Sequence, residues 1–241
     1  PAEILTIANR ILGTGQLSLA KFLFITADDS NQLSTKNIPE YFRFILERID
    51  FSRDVHFYTN TSIDTLDYSG TGLNTGSKVV LAAYGEKIRE LATDAPSILK
   101  ELRDFTNPRT VMPGIMAIQS AAFSDYKTEE NRLNSFIEKE QMALAIPALK
   151  GIALIVVCDD ADFCAAQLNN FLWLTFTRAN PSHDIYGIDA FTEHKHWGCR
   201  GPLIIDARIK PHHAPPLIMD EKVERKVDSL FAKGGSLAGL G

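Results

Sequence analysis

Cysteine is scarce in this chain. Cys158, Cys164 and Cys199 are the only three in 241 residues, an odd count without framework spacing, which excludes a disulfide scaffold and predicts a reducing, cytoplasmic setting. Long apolar runs are also missing. No stretch approaches the roughly 18 apolar residues of a membrane span, so an integral membrane protein is not expected. No charged-then-apolar leader opens the sequence. It begins at Pro1, directly in amphipathic sequence and without Met, which is read as a piece of something longer. A basic excess is absent: 25 Lys and Arg stand against 30 Asp and Glu, for a formal charge of -5. With no cluster of cations to neutralise many phosphates, nucleic acid is excluded as a partner.

What is present is ordinary globular composition, 45% hydrophobic and 23% charged, on a length that fits two domains of usual size. Ile4, Leu5, Ile7, Ala8, Ile11 and Leu12 recur at helical spacing before Gly13, which predicts a short helix. The run Phe22 to Ala27 reads as a buried strand closed by Asp28-Asp29. Pro39 opens a helical pattern through Leu46, Asp54 to Tyr58 returns to strand, and Val79 to Ala83 is a further buried strand. Glu86 to Asn107 turns charged and helical and is expected to be a connector helix ending the first module. The second half then repeats the order, with strands at Gly114 to Ala121, Ile152 to Val157 and Leu203 to Ala207. Helices are expected at Lys127 to Ala145, Leu168 to Phe176 and Met219 to Ala232.

The repeat is legible residue by residue. Phe24-Ile25-Thr26-Ala27-Asp28-Asp29 matches Ile155-Val156-Val157-Cys158-Asp159-Asp160, and Arg48 to Val55 matches Arg178 to Ile185. Gly76 to Ala83 falls on Arg200 to Ala207. The expected fold is α/β: two related modules, 1–107 and 108–241, with mostly parallel sheets flanked by helices and a final C-terminal helix.

Several clusters bear on chemistry. His183, His194, His196, His212 and His213 lie near Cys199 in sequence, a composition that can hold zinc, but their spacing follows no ligand pattern. His212-His213 also sits among prolines that suggest an exposed tail, so no metal ligands are assigned. Asp28-Asp29 and Asp159-Asp160 could be paired carboxylates, yet residues that follow a strand and precede a helix usually turn and cap; the structural role is expected. Cys158, at a strand end, is expected to be a packed apolar group. Gly70, Gly72 and Gly76 precede a strand rather than a helix, which argues against a phosphate loop.

The turn with Arg48, Asp50, Arg53 and Asp54, the loop Ile63-Asp64-Thr65-Leu66-Asp67 and the strand opening Gly76-Ser77-Lys78 resemble the C-terminal domain of UbiD-type decarboxylases, from about residue 3 to 87. Trp173, Thr177-Arg178, Pro181 and Asp184 resemble the same family in the second half, about 111 to 233, where Arg200-Gly201-Pro202 replaces Gly-Ser-Lys. The resemblance implies a carboxy-lyase that removes CO2 from an aromatic acid in ubiquinone or menaquinone biosynthesis, using prenylated FMN with a metal ion. The flavin, metal and catalytic residues belong to a preceding domain, so no catalytic residue is assigned here and the fragment alone is expected to be inactive. By position in the family, Leu19, Ile63, Leu66 and Tyr68 would wall the substrate pocket. The implied partners are a second copy of the chain, as dimer or larger homo-oligomer, the upstream flavin domain and the aromatic acid. The rival expectation is a non-catalytic assembly module.

Overall fold

The computed structural model describes residues 2–28, 33–100, 102, 104–137, 146–215 and 218–240. The first half opens with helix α1 (Ala2–Leu12) and a 3-10 turn (Gly15–Leu19). Strand β1 (Phe22–Thr26), helix α2 (Ile38–Arg48) and strands β2 (Val55–Ser62) and β3 (Thr75–Ala83) follow. Asn37 starts α2 by accepting from the Glu40 amide through its side-chain oxygen, which satisfies a donor orphaned at the helix start, and its side-chain Nδ2 donates to the Glu40 carboxylate at 2.9 Å. Pro39 sits in the first turn, where its missing N–H costs nothing. The strands form a mixed sheet in the order β1-β3-β2, with β1 parallel and β2 antiparallel to β3.

The second half adds β4 (Phe105–Met112), β5 (Ile115–Ser120), helix α4 (Tyr126–Ile137) and β6 (Leu154–Cys158), with the single turn α3 (Ser97–Lys100) before them. Helices α5 (Ala161–Ala166), α6 (Leu168–Arg178) and α7 (Pro181–Asp184) lead to strands β7 (Ile185–Gly187), β8 (Ala190–Glu193), β9 (His196–Cys199) and β10 (Leu203–Asp206) and to helix α8 (Glu221–Phe231). The main sheet runs β4-β5-β6-β10-β7, and β8 and β9 form a separate hairpin. Within it β6, β10 and β7 repeat the arrangement of β1, β3 and β2, parallel and then antiparallel. The register agrees as well: Val55 pairs with Leu81, and Ile185 with Ile205. The preceding turns match in hydrogen bonding, since the Asp50 amide donates to Asp54 and the Asn180 amide to Asp184.

The connector departs from expectation. Residues 84–96 hold no helix and run as a strap, with α3 the only helical turn between β3 and β4 among the described residues. Its backbone is satisfied by both halves instead of by itself: the Ile88 amide donates to the Glu47 carbonyl at 2.8 Å, and the Ala92 amide to the Gly151 carbonyl at 2.8 Å. The expected boundary at 107/108 falls inside β4, which tolerates Pro108 because it is an edge strand with a register shift between Thr106 and Arg109. Of the expected helix 127–145, residues 138–145 lie outside the described residues.

The halves share one core. Phe22, Phe24 and Phe42 of the first interlock with Phe171 and Phe176 of α6, the closest pair, Phe22 and Phe176, having ring centroids 4.9 Å apart. The β8–β9 hairpin reaches back to the first half: the Cys199 amide donates to the Phe51 carbonyl at 3.1 Å, and Trp197 meets Phe57 edge-on. A buried ionic cluster fixes the far side of the second sheet. Arg208 lies between Asp206 at 2.6 Å and Glu129 of α4 at 2.8 Å, all three shielded from water. Such a cluster persists because each charge has a partner and further hydrogen bonds. Among the described residues no helix is long and apolar enough to cross a membrane.

Candidate functional site

The loop between β2 and β3 is closed by its own carboxylates. Asp64 accepts from the Leu66 amide at 2.8 Å, and Asp67 accepts from the Ser69 amide at 2.9 Å and hydroxyl at 2.6 Å. These are local side-chain turns of the kind Asp favours. Lys21, at the foot of β1, locks the loop from beneath. Its ammonium meets Asp67 at 2.8 Å and the Ser69 hydroxyl at 2.5 Å, and donates to the Thr177 carbonyl of α6 at 3.3 Å. Burial lowers the Lys21 pKa, and Asp67 opposes that shift.

With its base fixed, the loop presents Leu66, 80% exposed, and Tyr68 to one side of an open cleft of about 490 Å³. Trp173, Phe176 and Arg178 of α6 form the facing wall, and Ile209 and His213 close one end. The i, i+3 spacing of Trp173 and Phe176 puts both on one helix face. Arg178 is held by Asp159 at 3.2 Å and lies over the Trp173 ring. Asp159 also accepts from the Ile209 amide at 2.8 Å, so one carboxylate positions two of the lining residues.

His213 adds an imidazole to the lining of the cleft. Its Nδ1 accepts from the Lys210 amide at 3.2 Å, which leaves the proton on Nε2. That nitrogen is buried and has no hydrogen-bond partner among the described residues. Burial, reinforced by Lys210, His212, Lys21 and Arg178, pushes its pKa down to about 4, so it is a neutral donor at physiological pH. Lys210 in turn pairs with buried Asp184 at 3.3 Å, and burial raises that carboxyl to about 7. An aromatic wall that also carries the exposed Tyr68 hydroxyl and the Arg178 guanidinium suits a planar or apolar group with a hydrogen-bond acceptor.

The four residues expected to wall a pocket separate into three environments. Leu66 and Tyr68 line the cleft. Leu19 lines an adjoining depression of about 390 Å³ that shares Asp67 and Phe176 with it. Ile63 is 2% exposed: it plugs the loop against Gly70 and Gly76, so it supports the wall from inside and cannot touch a ligand. Sequence reasoning misses Ile209 and His213. It places His212-His213 in an exposed tail, but Arg208 and Lys210 just before them are fully buried, which pins the segment.

The histidines expected near Cys199 are dispersed. His196 faces His56 across the junction of the halves, His183 sits beside Asn180 and Ser182, and His194 is at the tip of the hairpin. Among the described residues no group of three metal-ligating side chains converges. Asp160 caps α5 by accepting from the Phe163 amide at 2.9 Å. With Asp159 bound to Arg178, that pair is structural. Asp29 of the other pair lies outside the described residues. Cys158 and Cys164 are both fully buried.

Residues 1–83 match the family model for the 3-octaprenyl-4-hydroxybenzoate carboxy-lyase C-terminal domain. Over that segment the chain is similar to the C-terminal domain of UbiD-type carboxy-lyases. Relatives extend the likeness over both halves. An uncharacterized protein of Chlamydia trachomatis is 34% identical over 234 residues, 94% of this chain and 36% of that protein. A 4-hydroxybenzoate decarboxylase subunit from Chlamydia pneumoniae is 30% identical over 226 residues, 93% of this chain and 35% of that protein. The chain thus spans about a third of the length of the curated relatives it matches. A solved structure of vanillic acid decarboxylase from Sedimentibacter hydroxybenzoicus, in open form, aligns with 74% of this chain and 46% of its own at 13% identity and a TM-score of 0.34. The UbiD match ends at β3, so the α6 side of the cleft, with Trp173 and Arg178, comes from sequence beyond it.

Proposed function

We propose that the chain is the C-terminal part of a non-oxidative carboxy-lyase that removes CO2 from an aromatic acid, of the polyprenyl-hydroxybenzoate or naphthoate type in quinone biosynthesis. In this reading it closes the substrate pocket of a flavin domain encoded upstream. The carrying observation is the cleft itself: the UbiD loop is locked by Lys21 so that Leu66 and Tyr68 face an open apolar space. The family match over 1–83 and the decarboxylase relative in Chlamydia pneumoniae support the reaction class. A wall of this kind excludes water from a reacting carboxylate and orients the acid, without taking part in bond breaking. In this reading prenylated FMN and its metal belong to the upstream domain. The second half is read as a diverged copy of the first, on the strength of the shared strand arrangement and the paired turns at Asp54 and Asp184.

A second reading, a non-catalytic assembly module, is favoured by α8, whose Val223, Val227 and Phe231 are all exposed on a helix with no buried residue. An unpartnered apolar stripe of this kind suits a contact between protomers, and self-association belongs to both readings. The full-length protein separates them. Leu66→Glu and Tyr68→Glu lower turnover or change the preferred acid if the cleft walls the pocket, with assembly unaltered by light scattering. Unchanged kinetics with unchanged assembly would leave the assembly module as the function.

A further inference from the structure

We propose that a second cleft, where the strap, the 3-10 turn Ile146–Leu149 and the loop after β9 meet, binds a small oxyanion: a phosphate monoester or carboxylate with an apolar body. The site is separate from the Leu66–Trp173 cleft and stands whether or not that cleft serves a decarboxylase. Its volume is about 370 Å³, within the range of small-molecule sites. Arg89, Lys150 and Arg200 line it, and among the described residues that line it none is acidic.

Each cation arrives from a different segment, and each segment is fixed. The strap carrying Arg89 is hydrogen-bonded through the Ile88 amide to Glu47 and through the Ala92 amide to Gly151. The Arg89 guanidinium spends one nitrogen on the Leu46 carbonyl, at 2.6 Å, and lies over the Phe51 ring. A guanidinium offers five N–H groups in a planar fork that matches oxyanions, so donors remain for a ligand. Lys150 follows the 3-10 turn, and its ammonium has no partner among the described residues. Arg200 is held through its backbone amide to the Asp189 carbonyl and at 3.2 Å to the Asp189 carboxylate, an exposed pair that neutralises only part of the local charge. Ile88, 49% exposed, and Pro147 supply apolar surface beside these charges, over a buried floor of Leu149, Ile152 and Pro202.

The whole chain carries a formal charge of -5, so a hollow whose charged lining residues, among those described, are all cations is a local reversal that concentrates anions. The two modules differ at this point. By strand register, Arg200-Gly201-Pro202 occupies the place of Gly76-Ser77-Lys78, where Ser77 and Lys78 are buried and support the first module. In the second module the same position delivers an exposed arginine to a cleft edge, where its guanidinium also lies over the Phe191 ring.

Isothermal titration of the full-length protein at low ionic strength tests the site with inorganic phosphate, phenyl phosphate and benzoate as probes. Phenyl phosphate or benzoate is expected to bind more tightly than inorganic phosphate, because the floor is apolar; which of the two binds better identifies the head group. The double variant Lys150→Gln/Arg200→Gln should weaken that binding by at least about tenfold through loss of two charge-assisted contacts. Arg109→Gln, an exposed arginine elsewhere, should not. Circular dichroism checks the fold of the double variant, and Lys150→Gln alone, at an exposed site without a partner among the described residues, gives the same direction if the double variant misfolds. Absence of saturable binding by all three probes at millimolar concentration overturns the proposal. Affinity unchanged in a folded variant does the same.

Discussion

Replacing Lys21 by Met tests whether one buried ammonium sets the shape of the candidate site. Methionine keeps most of the volume, so the change removes charge and three contacts with little loss of packing. Three groups are stranded: the Asp67 carboxylate, the Ser69 hydroxyl and the Thr177 carbonyl. Breaking a fully buried ion pair costs about 3–5 kcal/mol. Asp67 keeps 17% side-chain exposure and recovers some hydration, which lowers the expected cost to about 2–3 kcal/mol. The double variant Lys21→Met/Asp67→Asn removes the stranded charge and should regain about 1–2 kcal/mol, a non-additivity that only residues in contact display. Equilibrium urea unfolding reads both numbers, and Trp173, in the cleft wall, reports on the site by fluorescence. A loss below about 1 kcal/mol in the single variant, or a double variant no more stable than the single, would refute the claim that Lys21 organises the loop.

Two further outcomes follow from the same geometry. His213 is held neutral in the folded chain with a pKa near 4, below the ordinary value of 6.5. The unfolded chain takes up the proton first, so its contribution to stability is present above about pH 6.5 and is lost as pH falls toward 4. The urea midpoints of the wild type and His213→Gln should therefore converge between pH 7.5 and pH 5; a constant gap would show that His213 does not titrate this way. On α8, Val227→Asp should shift the full-length protein toward smaller assemblies in light scattering without altering its melting temperature, because Val227 is exposed within the chain. An unchanged mass would remove α8 from the contact between protomers.

Much of the fold was legible because the central strands are continuous apolar runs, the signature of strands covered on both faces. Val79 to Ala83 and Leu154 to Cys158 are buried throughout. Strand β4 was not, since Asn107, at φ 52, and Pro108 read as a helix stop. The hairpin β8–β9 was missed for a related reason: its turn uses His194 and Lys195 at positive φ, where glycine or asparagine is the usual signal. The strap read as a helix because its charged residues recur at helical spacing, whereas its backbone donors are taken by Glu47 and Gly151.

The candidate site was half legible. Leu66 and Tyr68 lie in a contiguous loop that carries the family resemblance. Their facing wall lies more than 100 residues away, and no local pattern announces that Trp173 and His213 meet them. Ile63 was misplaced because a loop position in sequence does not reveal whether a side chain points into the fold. His212-His213 gave the opposite error: they read as an exposed tail, whereas Arg208 and Lys210 just before them are buried against Glu129 and Asp184 and pin the segment.

The shared phenylalanine core bears on how such proteins can be taken apart. A fragment cut at the end of the UbiD match, after residue 83, would leave Phe22, Phe24 and Phe42 without Phe171 and Phe176. The Glu47 carbonyl would lose the strap amides that donate to it. Such a piece would expose a sticky aromatic surface in water and tend to aggregate. In this chain the segment that the family model matches is smaller than the unit that can fold, and dissecting its function calls for point substitutions rather than truncation.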